Sequence, residues 1–235
     1  MSFLTAEWRK LIMANYIIPK ELVTPYLPKG TEIDTWNNNC YVSLVGFMFL
    51  NTKVLGIKIP YHINFEEVNL RFYVKRKEGN SIKRGVVFIK EIVPKAAITL
   101  VANNLYKENY ETKKMNHQWD ISDKLNISYQ WKAKKEWQSM EVTALNTPQI
   151  MEKNSEAEFI AEHYWGYAEI NKNKTMEYEV THPRWKTYPI ENYSIQVDFT
   201  KVYGNEFALL NSIQPASVFL IEGSEITIEK NKITS

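Results

Sequence analysis

The sequence predicts an α+β fold that is mainly β, an antiparallel barrel or sandwich with a few peripheral helices. Three observations lead there. Runs rich in Val, Ile, Phe and Tyr recur along the whole chain between turn residues, helical patterns are few and local, and strands do not alternate strictly with helices as a parallel sheet would require. No repeat, low-complexity tract or Pro/Gly/Ser-rich linker divides residues 1–235, so a single domain is expected.

In chain order the expected strands are Leu11–Ile18, Tyr41–Leu50, Asn64–Lys77, Arg84–Val93, Leu125–Trp131, Tyr164–Ile170, Met176–Thr181, Tyr193–Phe199, Ser217–Glu222 and Glu225–Glu229. Lys77-Glu78-Gly79-Asn80-Ser81 carries turn residues and joins two of them as a hairpin. Pro94 opens a helix over Ala96–Leu105, with Ala97, Leu100, Val101 and Leu105 on one apolar stripe. Ser155-Glu156-Ala157-Glu158 is a capping box that starts a short helix running to about His163. Pro19–Leu27 and Thr200–Leu210 carry weaker helical patterns.

One strand is chemically two-sided. Side chains alternate across a strand, so Val68, Leu70, Phe72 and Val74 share one face while Phe65, Glu67, Asn69, Arg71 and Tyr73 share the other. The flanking strands look buried on both sides. Val42, Leu44, Met48 and Leu50 oppose Val45, Phe47 and Phe49, and Val87, Ile89 and Val93 oppose Val86, Phe88 and Ile92. Between such neighbours Glu67, Asn69 and Arg71 project into an enclosed space, where charge must be paired or hydrogen-bonded. Glu67 and Arg71, four strand residues apart and so roughly 13 Å, do not reach each other directly. Asn69, cross-strand partners, water or a polar ligand would have to complete them. A structural polar network and a binding site both answer to this pattern; complete protein partners and no adjoining cavity would rule out the site.

Lys and Arg total 29 against 27 Asp and Glu, a net charge of +2 that gives no field for nucleic acid or an anionic membrane. Trp131-Lys132-Ala133-Lys134-Lys135-Glu136-Trp137 interleaves bases with aromatics but reads as a solvated hairpin tip. Glu7, Trp8, Arg9 and Lys10 interrupt any apolar leader, no run reaches a membrane span, and Cys40 is the only cysteine, so a cytoplasmic protein is expected. The glycosylation patterns at Asn126, Asn173 and Asn192 are then incidental. His62, His117, His163 and His182 show no metal-ligand spacing, no phosphate-cradling glycine motif occurs, and Ser43 has no nucleophile elbow around it, so no metal, nucleotide cofactor or serine hydrolase is expected. His182-Pro183-Arg184-Trp185 reads as a bend with a packed Trp185, or as a histidine facing a cavity.

Phe65–Val74, Arg84-Gly85-Val86-Val87-Phe88-Ile89, Leu105-Tyr106 ahead of Tyr110, and His182-Pro183-Arg184-Trp185 together resemble the bacterial YqjF-like family, an uncharacterised group. Leu11–Tyr16, Tyr41–Phe47 and Phe159–Tyr167 extend the resemblance over nearly the whole chain. That family is more distantly similar to the acetoacetate decarboxylase-like fold, which implies one β-rich, barrel-like domain with a central cavity. In the decarboxylases a lysine after a short helix forms a Schiff base, its pKa lowered by an adjacent lysine and by desolvation. The resemblance sets Tyr110 and Glu111 where the paired lysines would fall, so the nucleophile is missing, and it matches Glu67 to an acidic residue of the decarboxylase cavity.

The expected function is binding of a small carboxylate- or carbonyl-bearing molecule, with any chemistry avoiding a lysine Schiff base. Arg71 would orient an anionic oxygen and Glu67 would act as acid or base. Asn69, Tyr106, Tyr110 and His182 complete the candidate ligand-binding residues. The alternative is a non-catalytic binding or interaction module whose polar strand face is structural. Assembly into a homo-oligomer is compatible with either.

Overall fold

The computed structural model describes residues 2–234, so the terminal residues of the expected 1–235 domain lie outside it. Twelve strands form one sheet and four form a second. The long strands of the first are β1 (Leu4–Ile18), β2 (Cys40–Val54), β3 (Phe65–Glu78) and β4 (Ser81–Val93). Helix α1 (Ala96–Leu105) and the short β5 (Tyr110–Thr112) follow. The second sheet takes β6 (Met115–Ile121), β7 (Lys124–Ala133) and β8 (Glu136–Leu145). After α2 (Glu156–Ala161) the chain returns to the first sheet as β9 (Trp165–Asn171) and β10 (Lys174–Thr181). It then adds β11 (Ile190–Gln196) to the second sheet, turns through α3 (Phe199–Tyr203) and ends on β12 (Ser217–Ile228). Four strands of two or three residues, at 32–33, 149–150, 186–188 and 232–234, extend the edges of the first sheet.

Pairing in the first sheet runs β12-β1-β2-β3-β4-β9-β10, and β10 pairs again with β12 at Val180↔Ile228 and Thr181↔Thr227. The ladder thus comes back on itself around an interior. Nearly all of these pairs are antiparallel; β9 meets β4 in parallel over two residues. The second sheet packs on the outside of this wall. Val42, Leu44, Leu70 and Phe72 from one side meet Ile127, Tyr129, Trp131, Met140 and Val142 from the other in one core. Leu70 and Phe72 are fully buried, and each such side chain contributes about 1.5–3 kcal/mol. Gly46 permits the approach, since a Cβ there would lie 2.6 Å from the Met140 sulfur. On the inner face Val45, Phe47, Phe49, Phe65, Tyr73, Phe159, Ile160 and Tyr178 form a second core.

The two faces of β3 divide as the alternation requires, Val68, Leu70, Phe72 and Val74 outward to the second sheet, Phe65 and Tyr73 inward. In β4 the alternation breaks. A bulge between Leu70 and Arg71 in the β3–β4 register sets Phe88 opposite Arg71 but Glu91 opposite Asn69. Strict alternation placed Ile92 with Phe88 and Val93 with Ile89; the extra residue reverses both, so Ile92 joins the outer core and Val93 the inner one.

Other departures have local causes. β1 begins at Leu4 rather than Leu11, its charged first half paired on both sides. Ser217–Glu222 and Glu225–Glu229 are one strand, because Gly223 takes a φ of +78° where a Cβ would stand 1.9 Å from the Trp8 carbonyl oxygen. The strand expected to reach Phe199 ends at Gln196, and Asp198 caps α3 by accepting from Lys201 N–H at 2.9 Å. Met115–Ile121 and Glu136–Leu145 were not among the expected strands; both carry polar and charged side chains on their exposed faces. Pro19–Leu27 is two 3₁₀ turns, and Thr200–Leu210 spans α3 and a further 3₁₀ segment. Ser155 accepts from Glu158 N–H at 3.2 Å as the capping box requires, and α2 ends at Ala161. Among the described residues no helix is long and apolar enough to cross a membrane.

Candidate functional site

The inward face of β3 opens on two chambers that share Phe49, Glu67, Tyr110, Tyr178 and Ile228 as their common wall. The outer one has a volume of about 200 Å³ and is bounded by Phe65, Ile98, Val101 and Tyr106 among others. The inner one, about 50 Å³, carries Asn69, Arg71, Glu91, Phe88, His163 and Trp165. Glu67, Asn69 and Arg71 are 3%, 1% and 8% exposed, so the polar strand face is enclosed.

Inside, the polar groups satisfy one another only in part. Asn69 Nδ2 donates to Glu67 Oε1 at 3.0 Å, and the Tyr110 hydroxyl donates to Glu67 Oε2 at 3.0 Å. Arg71 makes no ion pair with Glu67; one Nη donates to the Ile160 carbonyl at 3.4 Å, supplied by α2. Arg71 Nε, Asn69 Oδ1 and Glu91 Oε2 have no hydrogen-bond partner within the protein. Buried polar atoms without partners are costly, about 1–3 kcal/mol each, and here they border a cavity.

Tyr110 is held in place by backbone clamps. Asn103 of α1 donates to the Tyr110 carbonyl at 3.0 Å and accepts from its N–H at 2.7 Å. Asn109 Nδ2 bonds the Ile89 carbonyl at 2.7 Å, and β5 pairs in parallel with β4 so that Tyr110 stands against Glu91. Tyr106 forms the outer wall, its ring edge-on to Tyr178 with centroids 5.2 Å apart.

Two acidic residues join Glu67 that the alternation did not reveal. Glu91 reaches the inner chamber through the β4 bulge, and Glu108, 8% exposed on the loop before β5, accepts from the Tyr178 hydroxyl at 2.7 Å. Burial pushes the Glu67 carboxyl up to about 7 against the bonds from Asn69 and Tyr110 and the nearby Arg71. Burial likewise lifts Glu108 to about 8, and Glu91 well above the ordinary range with help from the charges of Glu108 and Glu67. The cluster therefore holds protons at neutral pH.

His182 is the candidate that stands apart. It lines neither chamber; its ring stacks on Trp185 at 3.8 Å, and Nδ1 lies 2.9 Å from the Pro183 carbonyl. Burial holds it down at about 4. His163 takes a place in the inner wall instead, its ring 4.8 Å from Tyr73. Among the described residues no lysine lines either chamber. Glu111 points to Lys113 and Lys90 at the surface. Among the described residues no group of three or more His, Cys, Asp or Glu is arranged to hold a metal ion.

Residues 5–225 match the family DUF2071, described as an uncharacterized conserved protein. The chain is 30% identical over 71 residues to the uncharacterized protein YqjF of Bacillus subtilis (strain 168), a match covering 30% of this chain and 29% of that protein's length. Acetoacetate decarboxylase from Legionella pneumophila superposes with a TM-score of 0.65 at 12% identity, over 99% of this chain and 87% of that one. The enduracididine biosynthesis enzyme MppR, in a structure complexed with pyruvate, gives 0.70 at 10% identity, over 100% and 91%. An acetoacetate decarboxylase-like enzyme from Sphingomonas wittichii RW1 gives 0.67 at 8% identity, over 100% and 94%. At such identities the likeness is one of fold. The chain belongs to the DUF2071 family and carries the acetoacetate decarboxylase-like fold.

Proposed function

We propose that this protein binds a small carboxylate- or carbonyl-bearing molecule across its two chambers and moves a proton on it without a lysine Schiff base. The observation that carries the reading is the place of Glu67. It faces both chambers, keeps a carboxyl near neutrality, and shares the inner chamber with an Arg71 whose Nε has no partner among the described residues. Arg71 would take an anionic oxygen of the ligand, and Asn69 Oδ1 a donor. Glu67 as carboxylate would accept a proton from the carbon next to the carbonyl, leaving an enolate, and, as the acid, return it to that carbon or to the enolate oxygen. Tyr110 would keep Glu67 oriented, and Tyr106 would pack against the ligand body. Hydration and lyase steps on a keto or enol acid use the same groups.

Pyruvate, present in an MppR structure of this fold, is a fitting first probe. Calorimetry should show pyruvate binding, weakened at least tenfold in Arg71→Gln. In D₂O the wild type should exchange deuterium into the pyruvate methyl group faster than buffer does, and Glu67→Gln should abolish the excess. Borohydride treatment with pyruvate should add no mass. Absence of both binding and exchange with pyruvate and related short 2-oxo acids would favour a module whose polar strand face is structural. A cytoplasmic location belongs to this reading, supported by a lone, buried Cys40.

A further inference from the structure

Helix α1 is amphipathic in sequence, yet none of its residues is buried. Its apolar stripe is open. Leu100 is 66% exposed and Val101 42%, while Ala97 and Val101 also form part of the outer chamber wall. Across the chamber entrance lies the β2–β3 connection at 55–64. Ile59 belongs to that same wall at 45% exposed, and Ile57 and Tyr61 beside it are 68% and 86% exposed. Apolar surface of this kind costs free energy in water unless something covers it.

Here the surface is continuous with a cavity. Ile59, Ala97 and Val101 belong at once to the chamber lining and to the exposed surface, so a mainly apolar wall runs outward from Glu67 to solvent. The chamber lining is apolar except at Thr52, His62 and the Glu67, Glu108 and tyrosine end. A compartment of this form sorts an amphiphile by orientation: the polar head inward, the chain outward.

We infer that the ligand carries an unbranched apolar chain, its head at Glu67 and Arg71 and its tail leaving the outer chamber between α1 and the 55–64 connection. The inference rests on the function proposed above for the position of the head. A dry 150 Å³ cavity accepts benzene, so the outer chamber of about 200 Å³ takes roughly eight carbons. Longer chains would continue over Val101 and Ile57 at the mouth. The preferred substrate class is therefore a medium-chain 2-oxo or 3-oxo acid, with three- and four-carbon acids binding more weakly through the same head.

The test is a calorimetric series of straight-chain 2-oxo acids from pyruvate to 2-oxodecanoate, run beside the matching 1-alkanols, on wild type and Val101→Asp. Each methylene entering the chamber should tighten acid binding about fourfold until the chamber is filled. Val101→Asp should reduce the ratio of eight-carbon to three-carbon affinity at least tenfold; the site is on a surface helix, and an unchanged melting temperature will show that the variant folds. If short acids bind and lengthening brings no gain, the chain inference is overturned while the proposed function stands. If the alkanols gain with length and no acid binds, the chain site stands and the proposed head-group chemistry falls. If nothing in either series binds, both fall. Light scattering supplies the remaining outcome: an oligomer that Val101→Asp dissociates, with length dependence unchanged, would assign the patch to a second copy and overturn the inference.

Discussion

Asp34 and the cavity acids Glu67, Glu91 and Glu108 are all buried, yet they behave in opposite ways. Asp34 is 6% exposed and fully engaged: Arg84 Nε bonds it at 2.6 Å and His163 Nε2 lies 3.3 Å away. Burial acts to raise its carboxyl, but the bonds from His163 and Arg84 outweigh it and hold the group at about 2. Glu67, Glu91 and Glu108 are as deeply buried, yet only phenols and an amide reach Glu67 and Glu108, and their carboxyls rise. A buried acid with a cation against it is a structural fixture. A buried acid beside empty volume and short of partners is the kind of group the proposed function draws on.

The sharpest separation of the two is the pH dependence of stability. For the cavity acids the folded pKa lies above the unfolded one, so between about 4.5 and 7–8 the folded state binds more protons, and stability falls as pH rises. Each such carboxyl adds a slope of up to about 1.4 kcal/mol per pH unit inside that window. Urea unfolding should find these carboxyls favouring pH 5 over pH 8, opposed below about 6.5 by His163 and His182, whose folded pKa is depressed to about 4, and the double variant Glu67→Gln, Glu108→Gln should shift the balance towards greater relative stability at pH 8. For Asp34 the folded pKa is depressed, so its contribution is present above about 4 and is lost as pH falls towards 2. Asp34→Asn should cost about 1–2 kcal/mol at pH 7, a modest figure because the Arg84 side chain is 41% exposed and can turn to water. It should also reduce the stability loss on the acid side while leaving the limb above pH 5 intact.

A smaller effect probes the bond between Tyr110 and Glu67. Tyr110→Phe should cost about 1 kcal/mol and push the Glu67 carboxyl further up, since the phenol now stabilises the charged form. The smallest expected change is none at all. His163 and His182 are held at about 4 by burial, so neither imidazole should titrate between pH 5.5 and 8 in proton NMR. A histidine midpoint near 6.5 at either position would mean that the wall beside Arg71 is wetter than its packing implies.

How much of this was legible in the sequence follows from which rule each element obeys. β3 was legible because period-two alternation holds over its length, and Glu67, Asn69 and Arg71 fall inward together. Glu91 was not, because one bulge residue in β4 carries it to the opposite face, and a bulge leaves no mark that alternation can read. Glu108 sits on a loop with no period at all; only its place beside Tyr110 in the family-like segment hinted at it. The α1 helix and its stripe were legible, but not what the stripe faces, since amphipathicity signals an apolar neighbour without saying whether that neighbour is core or cavity mouth. His182 packs between Trp185 and Tyr164 and lines neither chamber.

The comparison turns on Glu67 holding a proton near neutral pH in a cavity that a ligand can enter. Carbon-13 NMR of selectively labelled glutamate, followed against pH with and without pyruvate, measures this at the carboxyl itself. The expected result is a resonance, lost in Glu67→Gln, that titrates near 7 and moves when pyruvate is added. A Glu67 resonance with a midpoint near 4.5, indifferent to pyruvate, would contradict the account.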